Sequence, residues 1–190
     1  MATYNTSDLK KGLKIQMDGV PFSILECQFV KPGKGQALYR LRLLNLLRGT
    51  TIDRTLKSGD SIEVADIHEQ EMQFLYREGD NFVFMDPKTF DQPAIPKELI
   101  GDKVQWLKDN VNCRVMFFND KAITVEPPAQ MTLKVEYTEP GARGNTATNV
   151  LKDAKVETGA IVKVPIFIET GEMIKVDTST GAYLERVREK

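Results

Sequence analysis

The sequence is poor in the side chains that build metal centres and nucleophilic triads. It has one histidine, His68, and two cysteines, Cys27 and Cys113, which are far apart and form no CxxC pair. No zinc-type cluster can be assembled from them. Both cysteines sit in apolar company, SILECQFV and VNCRVMFF, where a thiol usually behaves as a small buried hydrophobe. No apolar run approaches the length of a membrane span. The opening stretch MATYNTSDLKKGLKI has no apolar core of signal-peptide type, so a cytoplasmic location is expected.

What is present describes a globular chain. Hydrophobic residues make up 41% of 190, enough for real cores and against disorder. The net charge of −1 hides an uneven spread. Counting Lys and Arg against Asp and Glu gives ten and six over residues 1–64, seven and twelve over 65–128, and nine and nine over 129–190. A first third at +4 beside a middle at −5 suits a molecule with one phosphate-facing end; ordinary surface variation is the plain alternative.

Short β-like runs recur between turn signals. Asp18-Gly19, Glu78-Gly79-Asp80-Asn81, Asn119-Asp120, Thr170-Gly171 and Ser179-Thr180-Gly181 each mark a hairpin turn. LYRLRLLN reads as a strand with Tyr39, Leu41 and Leu43 on one face and Arg40, Arg42 and Leu44 on the other. PKELIGDKVQWLKDNV is the one helix candidate, starting after Pro96. Breaks at Val64-Ala65 and after Pro127-Pro128 divide the chain into residues 1–64, 65–128 and 129–190, each the size of one small β-barrel. The aromatics Phe74, Tyr76, Phe82, Phe84, Phe117 and Phe118 read as alternating core residues, with a base-stacking platform as the other possibility.

The sharpest local feature is a tip loop, Lys31-Pro32-Gly33-Lys34-Gly35-Gln36, between a strand ending at Val30 and one beginning near Ala37. Pro32 fixes one φ angle, and glycines flank Lys34 with permissive backbone. The arrangement presents one lysine without bulky neighbours. Lys31, Arg40 and Arg42 are close enough in sequence to contact phosphates beside it. A plain solvated turn is the competing reading. A Walker phosphate loop does not fit, because GxxxxGK[ST] is unmatched. A catalytic lysine does not fit either, because a low-pKa amine needs burial.

Phe29 to Ala37, FVKPGKGQA, resembles the first-domain motif of elongation factor P without a break. A second motif, KDAKVETGAIVKVPIFIETG, carries the family's C-terminal signature at Lys152, Ala154, Gly159, Val162, Val164, Pro165, Ile168 and Gly171. The resemblance covers essentially the whole chain. It implies an all-β, L-shaped, tRNA-like monomer: an SH3-like (KOW-type) barrel followed by two OB-fold barrels, homologous to initiation factor 5A. It implies a translation factor, not an enzyme. Such a factor binds the 70S ribosome between the peptidyl-tRNA and exit sites and relieves stalling at proline runs.

No cofactor is implied, but Lys34 would be extended by a covalent β-lysyl group that a partner enzyme attaches. The family's third-domain loop, approximately PGxxGDTA, here reads PGARGNTA. The resemblance assigns Gly144, Asn145, Thr146 and Ala147 to mRNA in the exit site, with Asn145 in place of the usual aspartate. Tyr183 and Arg186 match family positions that face the small subunit and the tRNA anticodon arm, which implies RNA contact. On general grounds they are equally a barrel aromatic and a solvated charge. Two other readings remain: a small enzyme using Lys34 or His68, and a paralogue without the proline-rescue role.

Overall fold

The structure, a computed structural model, describes residues 2–141 and 150–188. It is built of three antiparallel sheets, as expected. The first holds β1 (Thr3–Asn5), β2 (Lys14–Met17), β3 (Val20–Val30), β4 (Leu38–Asn45), β5 (Thr51–Lys57) and β6 (Ser61–Val64), in the order β1-β6-β2-β3-β4-β5. The second holds β7 (Ile67–Glu78), β8 (Asn81–Met85), β9 (Ala94–Pro96), β10 (Asn112–Phe118) and β11 (Lys121–Glu126), in the order β11-β10-β7-β8-β9. The third holds β12 (Gln130–Thr138), β13 (Leu151–Val156), β14 (Ile161–Pro165), β15 (Met173–Asp177) and β16 (Ala182–Val187), in the order β14-β13-β12-β15-β16.

Turn chemistry sets the registers. Asp18 and Gly19 have φ of 52° and 74°, so both central residues take the left-handed conformation that suits a two-residue hairpin, and Met17 pairs with Val20. Asn119 and Asp120, at 47° and 62°, do the same between β10 and β11. Period-two alternation then sorts the faces. In β4, Leu41 and Leu43 are buried while Arg40 and Arg42 are exposed. They join Leu9, Ile15, Phe22, Ile24 and Ile62 in the core beneath the first sheet.

Packing divides the chain into two compact units: Met1–Glu69 with Met116–Thr124, and Gln70–Val115 with Val125–Lys190. Residues 116–124 fall in the first because Phe118 and Ile123 bury against Ala65, with Leu46, Ile67 and Met116 around them. In the second unit, Trp106 is 3% exposed and lies in the core of the third sheet with Leu133, Val135, Val162 and Ile174.

The helix expected from PKELIGDKVQWLKDNV is mostly not α-helical. One turn, α1 (Lys97–Ile100), is followed by a 3-10 segment over Gly101–Trp106. Gly101 has φ of 61°, which an α-helix cannot continue through, and the tighter 3-10 path carries Trp106 into its core. The aromatics of the middle sheet are core: Phe74, Phe82, Phe84, Phe117 and Phe118 are all buried. Tyr76 departs from the pattern at 50% exposed, because a bulge between Phe74 and Tyr76 shifts the pairing with β8.

Candidate functional site

The long strands β3 and β4 run past the core and end in the loop 31–37. Val30 pairs with Leu38, Phe29 with Tyr39, Gln28 with Arg40, Cys27 with Leu41 and Glu26 with Arg42. Lys31, Pro32, Gly33, Lys34, Gly35 and Gln36 are all exposed, with Lys34 at the middle of the loop. Among the described residues, the Lys34 amine has no hydrogen-bond or ion-pair partner.

The two glycines are not equivalent. Gly35 has φ of +129°, a backbone conformation that L side chains rarely adopt, and a Cβ there would lie 3.7 Å from Pro32 Cγ. Gly33 has no such φ and open space where a Cβ would be. The sequence reading gave both the same role; only Gly35 is required by the backbone. The loop is tied down at its base. Gln36 Nε2 donates to the Ser58 carbonyl at 2.8 Å, and the Ser58 amide donates to the Ala37 carbonyl at 2.8 Å. Gln36 is therefore an anchor to the β5–β6 turn.

Arg40 and Arg42 share the outer face of β4 but differ in surroundings. Arg42 has Glu26 and Asp53 as cross-strand partners, while Arg40 has the neutral Gln28 and Thr55. Directly opposed residues lie about 5 Å apart at Cβ, so the carboxylates partly cancel the field of Arg42. Arg40, Lys31 and Lys34 form a run of uncompensated positive charge toward the tip.

The other face of the same strand ends was not singled out from sequence. The rings of Phe29 and Tyr39 pack in a tilted arrangement, 5.1 Å apart between centroids and inclined by 55°, and Phe29 is 57% exposed. Their signal was available: strand ends at Val30 and Leu38 oblige residues 29 and 39 to oppose each other.

Tyr183 and Arg186 lie on β16. A bulge at Leu184 lets Tyr183 oppose Val176 and Arg186 oppose Ile174, both fully buried, so the two side chains share the inner face. Tyr183 packs against the core, and burial pushes its phenol pKa up. Arg186 Nη1 donates to Glu172 Oε1 at 3.0 Å, and its guanidinium lies 5.8 Å from the Phe167 ring centre. Tyr183 is thus a barrel aromatic in part, and Arg186 is a held cation. With Lys134 and Arg188 it borders an open depression of about 580 Å³. Gly144, Asn145, Thr146 and Ala147 lie outside the described residues.

Neither thiol is poised for chemistry. Burial pushes Cys113 up to about 12 and raises Cys27 as well. Among the described residues, no group of three or more His, Cys, Asp or Glu could hold a metal ion. Among the described residues, no helix is long and apolar enough to cross a membrane.

Comparison with known proteins extends over the same three sheets. Residues 5–62 match the elongation factor P KOW-like domain, 67–125 its OB domain and 131–186 its C-terminal domain. The chain is 53% identical over 187 residues to Elongation factor P of Rhodopirellula baltica, covering 98% of this chain and 96% of that one. It is 49% identical over 188 residues to Elongation factor P 2 of Protochlamydia amoebophila, covering 98% and 99%. A solved structure of eukaryotic translation initiation factor 5A from Methanococcus jannaschii superposes with a TM-score of 0.54 at 24% identity, over 65% of this chain and 93% of that one. A translation initiation factor eif-5a family protein from Naegleria fowleri gives 0.54 at 17% identity, over 66% and 97%. At those identities the likeness is one of fold.

Proposed function

The chain belongs to the elongation factor P family of translation factors, and from that premise we propose that it binds the ribosome between the peptidyl-tRNA and exit sites and uses Lys34 to speed peptide-bond formation at proline runs. The observation that carries this reading is the tip loop itself. One lysine stands exposed on a hairpin whose backbone needs glycine at 35, whose base is tied by Gln36, and whose flank is positively charged at Lys31 and Arg40.

The chemistry is positioning. Proline is a slow nucleophile and stiffens the nascent chain. A cation delivered to the CCA end of peptidyl-tRNA pairs with backbone phosphates and 2′-hydroxyls and holds the ester in attacking geometry. The factor makes and breaks no bond; the reacting centre stays the ribosome's. A covalent β-lysyl extension of Lys34, attached by a partner enzyme, lengthens the reach and adds amino groups. The exposure of Lys34 supports such a modification, since a modifying enzyme must enclose the amine.

Residues 144–147 are proposed to meet mRNA in the exit site, with Asn145 contributing an amide where a carboxylate is usual. Tyr183 and Arg186 are proposed to contribute on the small-subunit side. Arg186 would do so from a fixed position, because Glu172 already holds one edge of its guanidinium. The molecule is proposed to act as a cytoplasmic monomer.

Reconstituted translation of a reporter containing Pro-Pro-Pro tests the proposal. Added protein should relieve the stall, and Lys34→Ala should remove most of the effect while leaving a proline-free reporter unchanged. Equal relief by Lys34→Ala would refute the role given to that amine. Intact-mass spectrometry of protein from its native cell tests the modification, and a mass equal to that of the encoded chain would remove it.

A further inference from the structure

Resting on the translational reading above, we infer that Phe29 and Tyr39 form a stacking platform for one unpaired nucleobase of the RNA that Lys34 reaches. The pair lies one residue pair back from the loop, on the face of β3 and β4 opposite Arg40. Leu56 of β5 continues the row beside Tyr39, and Arg54 follows on the same face of β5. Phe29 leaves 57% of its surface in solvent. An exposed aromatic pair at a hairpin end stabilises the hairpin by cross-strand contact, but that alone does not call for flanking cations.

The surroundings select the occupant. Lys31 and Lys34 follow Phe29 in the exposed loop, Arg54 lies exposed on β5 two residues from the Leu56 that pairs with Tyr39, and among the described residues the side chains of these three cations have no ion-pair partner. An apolar protein partner would have to desolvate these charges without compensation. A polyanion with flat aromatic bases satisfies both demands: a base stacks on the exposed Phe29 face, which Tyr39 supports from the side, while the adjoining phosphates meet the cations. The hairpin end then grips RNA from two sides, Arg40 on the outer face and the aromatic pair on the inner one. Stacking depends on the π face and is tolerant of base identity, so the platform adds hold without imposing sequence preference.

Affinity for ribosomes carrying peptidyl-tRNA, measured across a salt series, tests this. The double variant Phe29→Leu with Tyr39→Leu keeps apolar bulk and removes both π faces. It should bind on the order of tenfold more weakly with an unchanged salt slope. Tyr39→Phe should bind as the wild type does. Lys34→Ala should instead flatten the salt slope. Tyr39→p-benzoylphenylalanine should cross-link to RNA on irradiation. Thermal unfolding of each variant controls for folding. If the double variant binds as tightly as the wild type, the platform is overturned while the translational reading stands. If the wild type itself has no affinity for these ribosomes, it is the translational reading that fails. A cross-link to ribosomal protein alone, or variants that bind RNA normally but are poorly modified at Lys34, would show a protein-docking face and overturn the inference.

Discussion

Lys34 and Gly35 divide the work of the tip between charge and backbone. Gly35 alone occupies a φ region that disfavours a side chain, so Gly35→Ala should destabilise the fold by about 1–3 kcal/mol and misplace the amine. Gly33→Ala, with open space and no such φ, should stay within about 0.5 kcal/mol of the wild type. Chemical denaturation of the two variants checks the contrast, and equal losses would contradict it. The equivalence of these glycines in the sequence could not be broken by inspection, because φ is a property of the closed hairpin. Lys34 itself was legible, because Pro and Gly around a lone lysine leave little else for the loop to present. The roles of Gln36 and Arg186 were not. Each depends on a partner distant in sequence, Ser58 and Glu172 respectively.

At the scale of the element, the β3–β4 hairpin converts sequence alternation into two chemically different faces. Arg42 sits between Glu26 and Asp53, and Arg40 between Gln28 and Thr55. Arg40→Ala should therefore weaken ribosome binding and reduce its salt dependence more than Arg42→Ala does. Titrations at two salt concentrations read this directly, and a larger effect at Arg42 would contradict the charge argument. Strands and turns were well predicted here, since Asp18-Gly19 and Asn119-Asp120 carry their own conformational preference. Bulges were not. The shifts near Leu25, Tyr76 and Leu184 insert one residue into a ladder, and a period-two reading carries no mark of where that happens. The helix over 97–106 failed for a related reason. Its apolar spacing was real, but burying Trp106 decided the path.

At the scale of the whole molecule, the second unit is joined by its one tryptophan. Trp106 belongs by sequence to the segment before β10 and by packing to the core of the third sheet. Trp106→Ala should cost about 3–5 kcal/mol and lower the unfolding temperature of that unit, as differential calorimetry would show. Lys108 adds an ion pair to Glu157 at 2.9 Å, and the Lys134 amide donates to the same carboxylate at 3.0 Å. Burial tends to raise the pKa of Glu157, but these contacts outweigh it and hold the group below its ordinary value. Asp177, capped first by the Ser179 hydroxyl and then by the Thr180 amide, is lowered too. Carboxylates depressed in the folded state contribute stability above their unfolded pKa of about 4, and lose it as pH falls through the folded value. Urea stability should accordingly be flat from neutrality to about pH 5 and fall below about pH 4, less steeply in Asp177→Asn. A fall on the alkaline side of pH 5 instead would contradict that assignment.

The β3–β4 hairpin of the first sheet presents Lys34 at the middle of an exposed loop. Replacing the chromosomal codon to give Lys34→Ala, then profiling ribosome positions across the transcriptome, addresses that purpose most directly. Ribosomes should accumulate at Pro-Pro-Pro codons to nearly the level seen when the gene is deleted, with other codons unaffected. A profile indistinguishable from that of the wild type would contradict the account.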